Sequence, residues 1–207
     1  MTVVDLELVM ASANPDKAAE IAAILGAVPG IRLHPRPAHV PDVDETGDTL
    51  VENARLKAVA LMEVTGMAAV SDDTGLEIDA LGGEPGVYSA RYSGEHATYA
   101  DNLAKVVAEM ERVGATSPEQ RAATFRTVAL VAYPGGGEVW AEGTVAGIIA
   151  PEPIGDAGFG YDPVFVPDGC GGRTFAQMTA AEKHRISHRG RAFRALAELL
   201  GADSGSS

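Results

Sequence analysis

The chain has 207 residues, a length that suits one domain, with room for two lobes, and a sizeable buried core. Its formal net charge of −13 argues against extended binding to DNA, RNA or an anionic membrane, partners held mainly by phosphate neutralisation. A single cysteine, Cys170, excludes an internal disulfide and a multi-cysteine zinc site, and with neither a signal peptide at Met1 to Met10 nor a transmembrane run, a cytoplasmic protein is expected.

Leu6 to Ala11 reads as a buried strand. Asn14-Pro15 then supplies an N-cap and a proline at the first helical position, opening a helix to about Leu25 that stops at Gly26. This places the amides after Ser12 at a helix N-terminus, which favours an anion. Lys17 opposes the dipole there and is most easily explained facing a phosphate, although a solvated lysine is the commoner case. The loop Ser12-Ala13-Asn14-Pro15-Asp16-Lys17 lacks the G-x-x-x-x-G-K-[ST] spacing of a Walker A loop. Ile31 to His34 reads as a second strand and Pro35 to Asp48 as a loop rich in proline and acid. Within that loop Asp42-Val43-Asp44-Glu45-Thr46 has the D-x-D-x-T form of haloacid-dehalogenase-type phosphatases. Context rejects that reading, because His39-Val40-Pro41 before it is not the hydrophobic strand the motif needs. Thr49 and Glu52 form a capping box for a helix to Thr65, in which Ala54, Ala58, Leu61 and Met62 face the core. Lys57 on that helix is either a phosphate ligand or an intrahelical partner of a glutamate.

Ser71-Asp72-Asp73-Thr74-Gly75 follows the apolar run Met67 to Val70, so two adjacent carboxylates are expected just past a strand end. Taken alone the pair reads as a solvated turn. Its other reading is a cleft where repulsion between the acids is relieved by a cation, most simply a magnesium ion carrying phosphate oxygens. Between Asp42 and Glu84 the acids face only Arg55 and Lys57, whereas Lys183 to Arg194 holds Lys183, Arg185, Arg189, Arg191 and Arg194 without an acid. That asymmetry suits a metal-bound polyphosphate, and equally the complementary surfaces of a dimer or two solvated faces.

Leu76 to Leu81 alternates like a strand edge, with Glu77 and Asp79 read as solvated. Thr98 with Asp101 caps a helix to about Val113, and Thr124 to Tyr133 with Val139 to Ile149 reads as an antiparallel hairpin. Gly155 to Pro163 is a glycine-rich loop whose Phe159, Tyr161 and Asp162 either hold a flat heterocycle or cap the core. Thr179 with Glu182 caps a short helix, and Ser187 caps the last one, which ends at Gly201 before a tail, residues 202–207, expected to be disordered. His188 and Arg189 at that N-terminus oppose the dipole, which suggests anion or carbonyl recognition.

Ser12-Ala13-Asn14 with Lys17, Glu45-Thr46-Gly47, Glu52-Asn53-Ala54 with Lys57, Ser71 to Gly75, Phe159 to Pro163 and Ser187-His188-Arg189 together resemble the inosine triphosphate pyrophosphatase family. The six motifs occur in the family's order from the first strand to the last helix. Ala13 stands where the family often has glycine or serine, and Thr74 where serine is commoner, keeping the hydroxyl. The resemblance implies an α/β fold with an elongated mixed β-sheet flanked by helices, two lobes with a central cleft, a single domain over residues 1–201, and a homodimer. It implies Mg2+-dependent removal of pyrophosphate from deaminated purine nucleoside triphosphates such as ITP, dITP and XTP. Carried over by position, Asp73 is the proton acceptor and, with Glu45 and Asp72, a metal ligand. Ser12, Ala13, Asn14, Pro15, Asp16, Lys17 and Lys57 hold the triphosphate, and Thr74 contacts the nucleotide. Phe159, Gly160, Tyr161 and Asp162 bound the base, and Lys183, His188 and Arg189 complete the pocket. A nucleotide-binding sensor without turnover, or an enzyme for another modified triphosphate, remains the alternative.

Overall fold

The computed structural model describes residues 6–203, with side chains through residue 201; the tail beyond 203 lies outside the described residues. The strands are β1 (Leu6–Met10), β2 (Ile31–His34), β3 (Ala69–Ile78), β4 (Pro85–Gly86), β5 (Ala122–Ala132), β6 (Glu138–Ile149) and β7 (Phe165–Pro167), the first three alternating with α-helices. The helices are α1 (Pro15–Leu25), α2 (Leu50–Thr65), α3 (Tyr99–Arg112), α4 (Ala180–Ile186) and α5 (His188–Asp203). Among the described residues the strands make one mixed sheet in the order β2-β1-β3-β5-β6-β7, with β4 on β3. β1 runs parallel to β2 and β3, a pairing that needs crossover connections and has α1 and α2 to make them, while β4 and β7 pair antiparallel with β3 and β6.

The chain divides into two compact units: Met1–Asp73, Thr127–Gly143 and His188–Ser207 form the first, Thr74–Arg126 and Thr144–Ser187 the second. In the first, Leu8 and Met10 of β1, Ile21 and Leu25 of α1, and Phe193 and Leu196 of α5 share a core. The local signals place these helices as expected. Asn14 caps α1 by accepting from the amides of Asp16 and Lys17, and Thr49 and Glu52 cap each other's backbone at the start of α2. Gly66 then ends α2 in the left-handed conformation that costs glycine nothing. In the second unit Phe125, Phe165 and Phe175 stack within one core, with Phe125 edge-on to Phe165 at 4.6 Å between centroids. There Arg121 is buried and donates to the carbonyls of Ala115 (2.7 Å), Ala150 (2.8 Å) and Ile149.

Two expectations shift. Asp72 and Asp73 do not sit in a turn past a strand: β3 runs unbroken from Ala69 through both acids to Ile78, and only Asp79–Leu81 leaves it, as a 3-10 turn. Sheet pairing and buried cationic partners outweigh the low strand preference of aspartate. α5 continues past the expected stop at Gly201 to Asp203, while Ser187 ends α4 as its C-cap and, in extended backbone, directly precedes α5, the place expected of its cap. Of the expected hairpin, β5 and β6 meet the reading, joined by a turn in which Tyr133 N donates to Gly137 O. No described helix is long and apolar enough to cross a membrane.

Candidate functional site

The acids of β3 point their chemistry in two directions. Successive strand residues project to opposite faces, so neighbouring carboxylates need not share a partner. Asp72 receives Arg189 Nε at 3.2 Å and lies 3.4 Å from Lys17 Nζ. Asp73 receives Lys57 Nζ at 2.8 Å, and the same ammonium donates to Glu45 at 2.7 Å. Glu45 and Asp73 therefore converge on one cation, while Asp72 belongs to a second cluster closed by Glu20, which accepts from Arg189.

Each partner is delivered by an element whose geometry the sequence specifies. Lys57 lies on α2, tied to β3 where Ser71 Oγ donates to Ala54 O at 2.6 Å. Glu45 is carried by the loop ahead of α2, fixed where Gly47 N donates to Asn53 Oδ1 at 2.8 Å. A Cβ on Gly47 would come within 2.6 Å of the Glu52 Cβ, so the loop can lie this close only with glycine there. Arg36 braces the same loop by donating to the carbonyls of Ala11, Val40 and Pro41. Lys17 and Glu20 lie one turn apart on α1 and face the same cluster. At the N-terminus of α5, His188 is buried, and its carbonyl packs on β6 so closely that a Cβ on Gly143 would lie 2.3 Å from it.

The two carboxyls respond oppositely to these surroundings. Burial alone would raise Asp72, but Lys17 and Arg189 outweigh it and hold that carboxyl well below the ordinary carboxylate range. Burial raises Asp73 above its ordinary value, with Lys57 and Lys17 pulling only partly the other way and Glu45 adding to the rise. Asp72 is thus a fixed counter-charge, and Asp73 a carboxylate with a heightened appetite for a proton. Lys57 stays protonated: burial opposes its charge, and Asp73 and Glu45 more than restore it.

Among the described residues no group of three His, Cys, Asp or Glu side chains is arranged around a metal position. Of the three expected ligands, Glu45 and Asp73 meet at Lys57, while Asp72 pairs with Arg189 and Lys17. Glu45 with Asp73 fits a hard divalent cation better. They are two carboxylates already sharing a positive charge, and Asp73 Oδ2 is buried without a hydrogen-bond partner among the described residues.

The expected phosphate loop is partly occupied by its own cap: Asn14 Oδ1 takes the amides of Asp16 (2.9 Å) and Lys17 (3.2 Å), while Ser12 is half-buried and Ala13, Pro15 and Asp16 are exposed. Arg189, expected among the groups reading the base, is instead buried between Asp72 and Glu20, since a guanidinium taken out of water needs carboxylates around it. Thr74 is half-buried on β3 at the start of the second unit. Glu20 escaped the sequence reading; its one signal was its place a turn beyond Lys17 on α1.

In the second unit the Phe159 loop forms a separate constellation. Asp162 accepts from Phe159 N (2.8 Å) and from Lys183 Nζ (2.6 Å), and that ammonium sits 4.7 Å from the centre of the Phe159 ring. Asp162 and Lys183 are both buried, so they anchor the loop to one another. A Cβ on Gly158 would lie 2.0 Å from Asp162 Oδ2, so only glycine admits this turn. Tyr161 does not present its ring for stacking: it is core, with its hydroxyl donating to Ser89 O at 2.8 Å. Phe159 and Gly160 remain half-buried at the loop's surface.

Comparison with known proteins gives this geometry its context. The sequence pattern of the Ham1 family matches residues 8–199. A dITP/XTP pyrophosphatase of Streptomyces coelicolor is 45% identical over 94% of this chain and 98% of its own length. One from Mycolicibacterium paratuberculosis is 46% identical, over 93% and 95%. The structure of a HAM1 protein from Coxiella burnetii superposes with a TM-score of 0.84 at 40% identity, covering 95% of this chain and 99% of that one. With a family pattern, close relatives and a solved fold agreeing over nearly the whole length, the chain belongs to the Ham1 family.

Proposed function

We propose that the chain hydrolyses the triphosphates of deaminated purine nucleosides, ITP, dITP and XTP, to the monophosphate and pyrophosphate, and so removes them from the nucleotide pool. The observation carrying this reading is the convergence of Glu45 and Asp73 on Lys57, with one buried Asp73 oxygen left without a partner among the described residues. The names of the relatives agree with it. We place the enzyme in the cytoplasm as a homodimer and take residues 1–201 as one catalytic domain.

Asp73 takes the proton from a water that attacks the α-phosphorus; the bond from that phosphorus to the bridging oxygen breaks, and pyrophosphate leaves with the electron pair. A carboxylate whose proton affinity is raised by burial is better suited to this than an ordinary one. Glu45 and Asp73 are the residues that would hold Mg2+, which when bound neutralises phosphate charge. Lys57 and Lys17 offset the charge of the leaving pyrophosphate, and the Ser12 to Lys17 loop and Thr74 contact the nucleotide. Phe159 and Gly160 receive the base over the Asp162–Lys183 anchor. Arg189 serves Asp72.

The test incubates the protein with ITP, dITP, XTP, GTP, ATP and dUTP, with and without Mg2+, separating pyrophosphate from orthophosphate. The expected result is Mg2+-dependent pyrophosphate from ITP, dITP and XTP, with little from GTP, ATP or dUTP. Orthophosphate as first product would overturn attack at the α-phosphorus. Binding without any product would favour a sensor, and turnover confined to dUTP a different modified nucleotide.

A further inference from the structure

The Phe159 loop is held by more than its buried anchor. Phe159 stands between Gly158 and Gly160, both at positive φ, so the backbone on either side gives the ring little intrinsic restraint. Asp162 fixes the Phe159 amide and Lys183 lies over the ring. An aromatic contact comes from another element: Tyr99, the first residue of α3, places its ring 5.7 Å from that of Phe159, tilted by 38°. Tyr99 is 43% exposed, and α3 has no use for an aromatic there, since its first turn is already closed by the Thr98–Asp101 capping box. A large ring held at the surface against the ring of Phe159, in the tilted range favoured by aromatic pairs, suits a role in holding that partner.

We propose that Tyr99 is a positioning residue for base recognition: it braces the Phe159 ring so that a planar purine meets a preset aromatic surface. The inference rests on Phe159 receiving the base, as proposed above. It predicts that Tyr99 acts on substrate affinity and leaves the chemical step alone. It also predicts that the ring matters and the hydroxyl does not.

Steady-state kinetics on the full chain with ITP and Mg2+ test this with Tyr99→Ala, Tyr99→Phe, Phe159→Ala and the Tyr99→Ala/Phe159→Ala double variant, melting temperatures being measured alongside. Tyr99→Ala is expected to raise KM about 3- to 10-fold with kcat within about twofold, the range an aromatic pair supports. Tyr99→Phe should restore KM. In the double variant the effect of Tyr99→Ala should vanish, because its partner ring is gone. An unchanged KM in Tyr99→Ala beside a raised KM in Phe159→Ala would overturn the role of Tyr99 alone. An unchanged KM in Phe159→Ala would overturn the base-site reading and this inference with it. A fall in kcat, or additive effects in the double variant, would also overturn it, since a merely structural tyrosine would produce them.

Discussion

Adjacent on one strand, Asp72 and Asp73 illustrate how environment divides the labour of identical side chains. A carboxyl whose folded pKa is depressed contributes stability above its ordinary pKa, lost as pH falls through the folded value. Asp72 is of this kind. One whose folded pKa is raised resists ionisation in the folded state, so at neutral pH it costs stability, a cost relieved as pH falls through the raised value. Asp73 is of that kind. Asp72→Asn, which leaves the buried Arg189 without one of its two carboxylates, should therefore destabilise the protein by about 3 kcal/mol in urea or thermal denaturation. Asp73→Asn relieves a carboxyl held above its ordinary pKa but takes one of two carboxylates from the buried Lys57, so it should cost less stability than Asp72→Asn while lowering kcat by about 10²- to 10⁴-fold, the usual reach of a general base. In the unaltered enzyme kcat/KM should fall on acidification with an apparent pKa above the 3.8 of an ordinary aspartate. A loss of stability in Asp73→Asn as large as in Asp72→Asn would show that the two acids share one structural role.

The helices place these side chains, and α5 shows how little slack the placement allows. Its first turn approaches β6 so closely that a Cβ on Gly143 would fall 2.3 Å from both Ala192 N and His188 O, backbone atoms that cannot step aside separately. Gly143→Ala should push the start of α5 off the strand, cost about 1 to 3 kcal/mol as overpacking does, and weaken activity by moving Arg189 away from Asp72. Denaturation and kinetics on that variant measure both; a fully stable, fully active protein would count against it. The helix starts themselves were legible from sequence, because Asn14-Pro15, Thr49 with Glu52, Thr98 with Asp101 and Thr179 with Glu182 are local hydrogen-bond patterns spanning at most four residues. The partners of Asp72 were not legible. Arg189 is 117 positions away from it and 169 from Glu20, and no local periodicity encodes such a meeting. For the same reason the acid-free stretch from Lys183 to Arg194 looked like an open basic surface, although Lys183 and Arg189 spend their charge on buried carboxylates. Tyr161 read as a candidate base contact because a loop's sequence does not say which of two neighbouring aromatics turns inward.

Taken as one molecule, the protein keeps much of its positive charge inside. Arg121, Lys183 and Arg189 are buried, and Lys17 and Lys57 nearly so, each bound to protein oxygen. Buried acids and bases come close to cancelling, so the net charge of −13 is expressed on the outer surface. A polyanionic nucleotide therefore meets a net repulsive field at long range and reaches the covered cations Lys17 and Lys57 only at contact. Raising ionic strength from about 0.01 to about 0.1 M shortens the Debye length from about 30 to about 10 Å, which should screen that field before it reaches the covered ammonium groups. For most enzymes of phosphate substrates salt weakens capture; here KM for ITP should fall over that interval and kcat should hold. A KM that rises with salt would mean that the lysines reach outward to meet the substrate. If the fall is seen, the acidic exterior acts as a filter: long polyanions, whose repulsion sums over many phosphates, are held off far more strongly than a single nucleotide, so polymerised nucleic acid is excluded by the same charge that a free triphosphate can overcome.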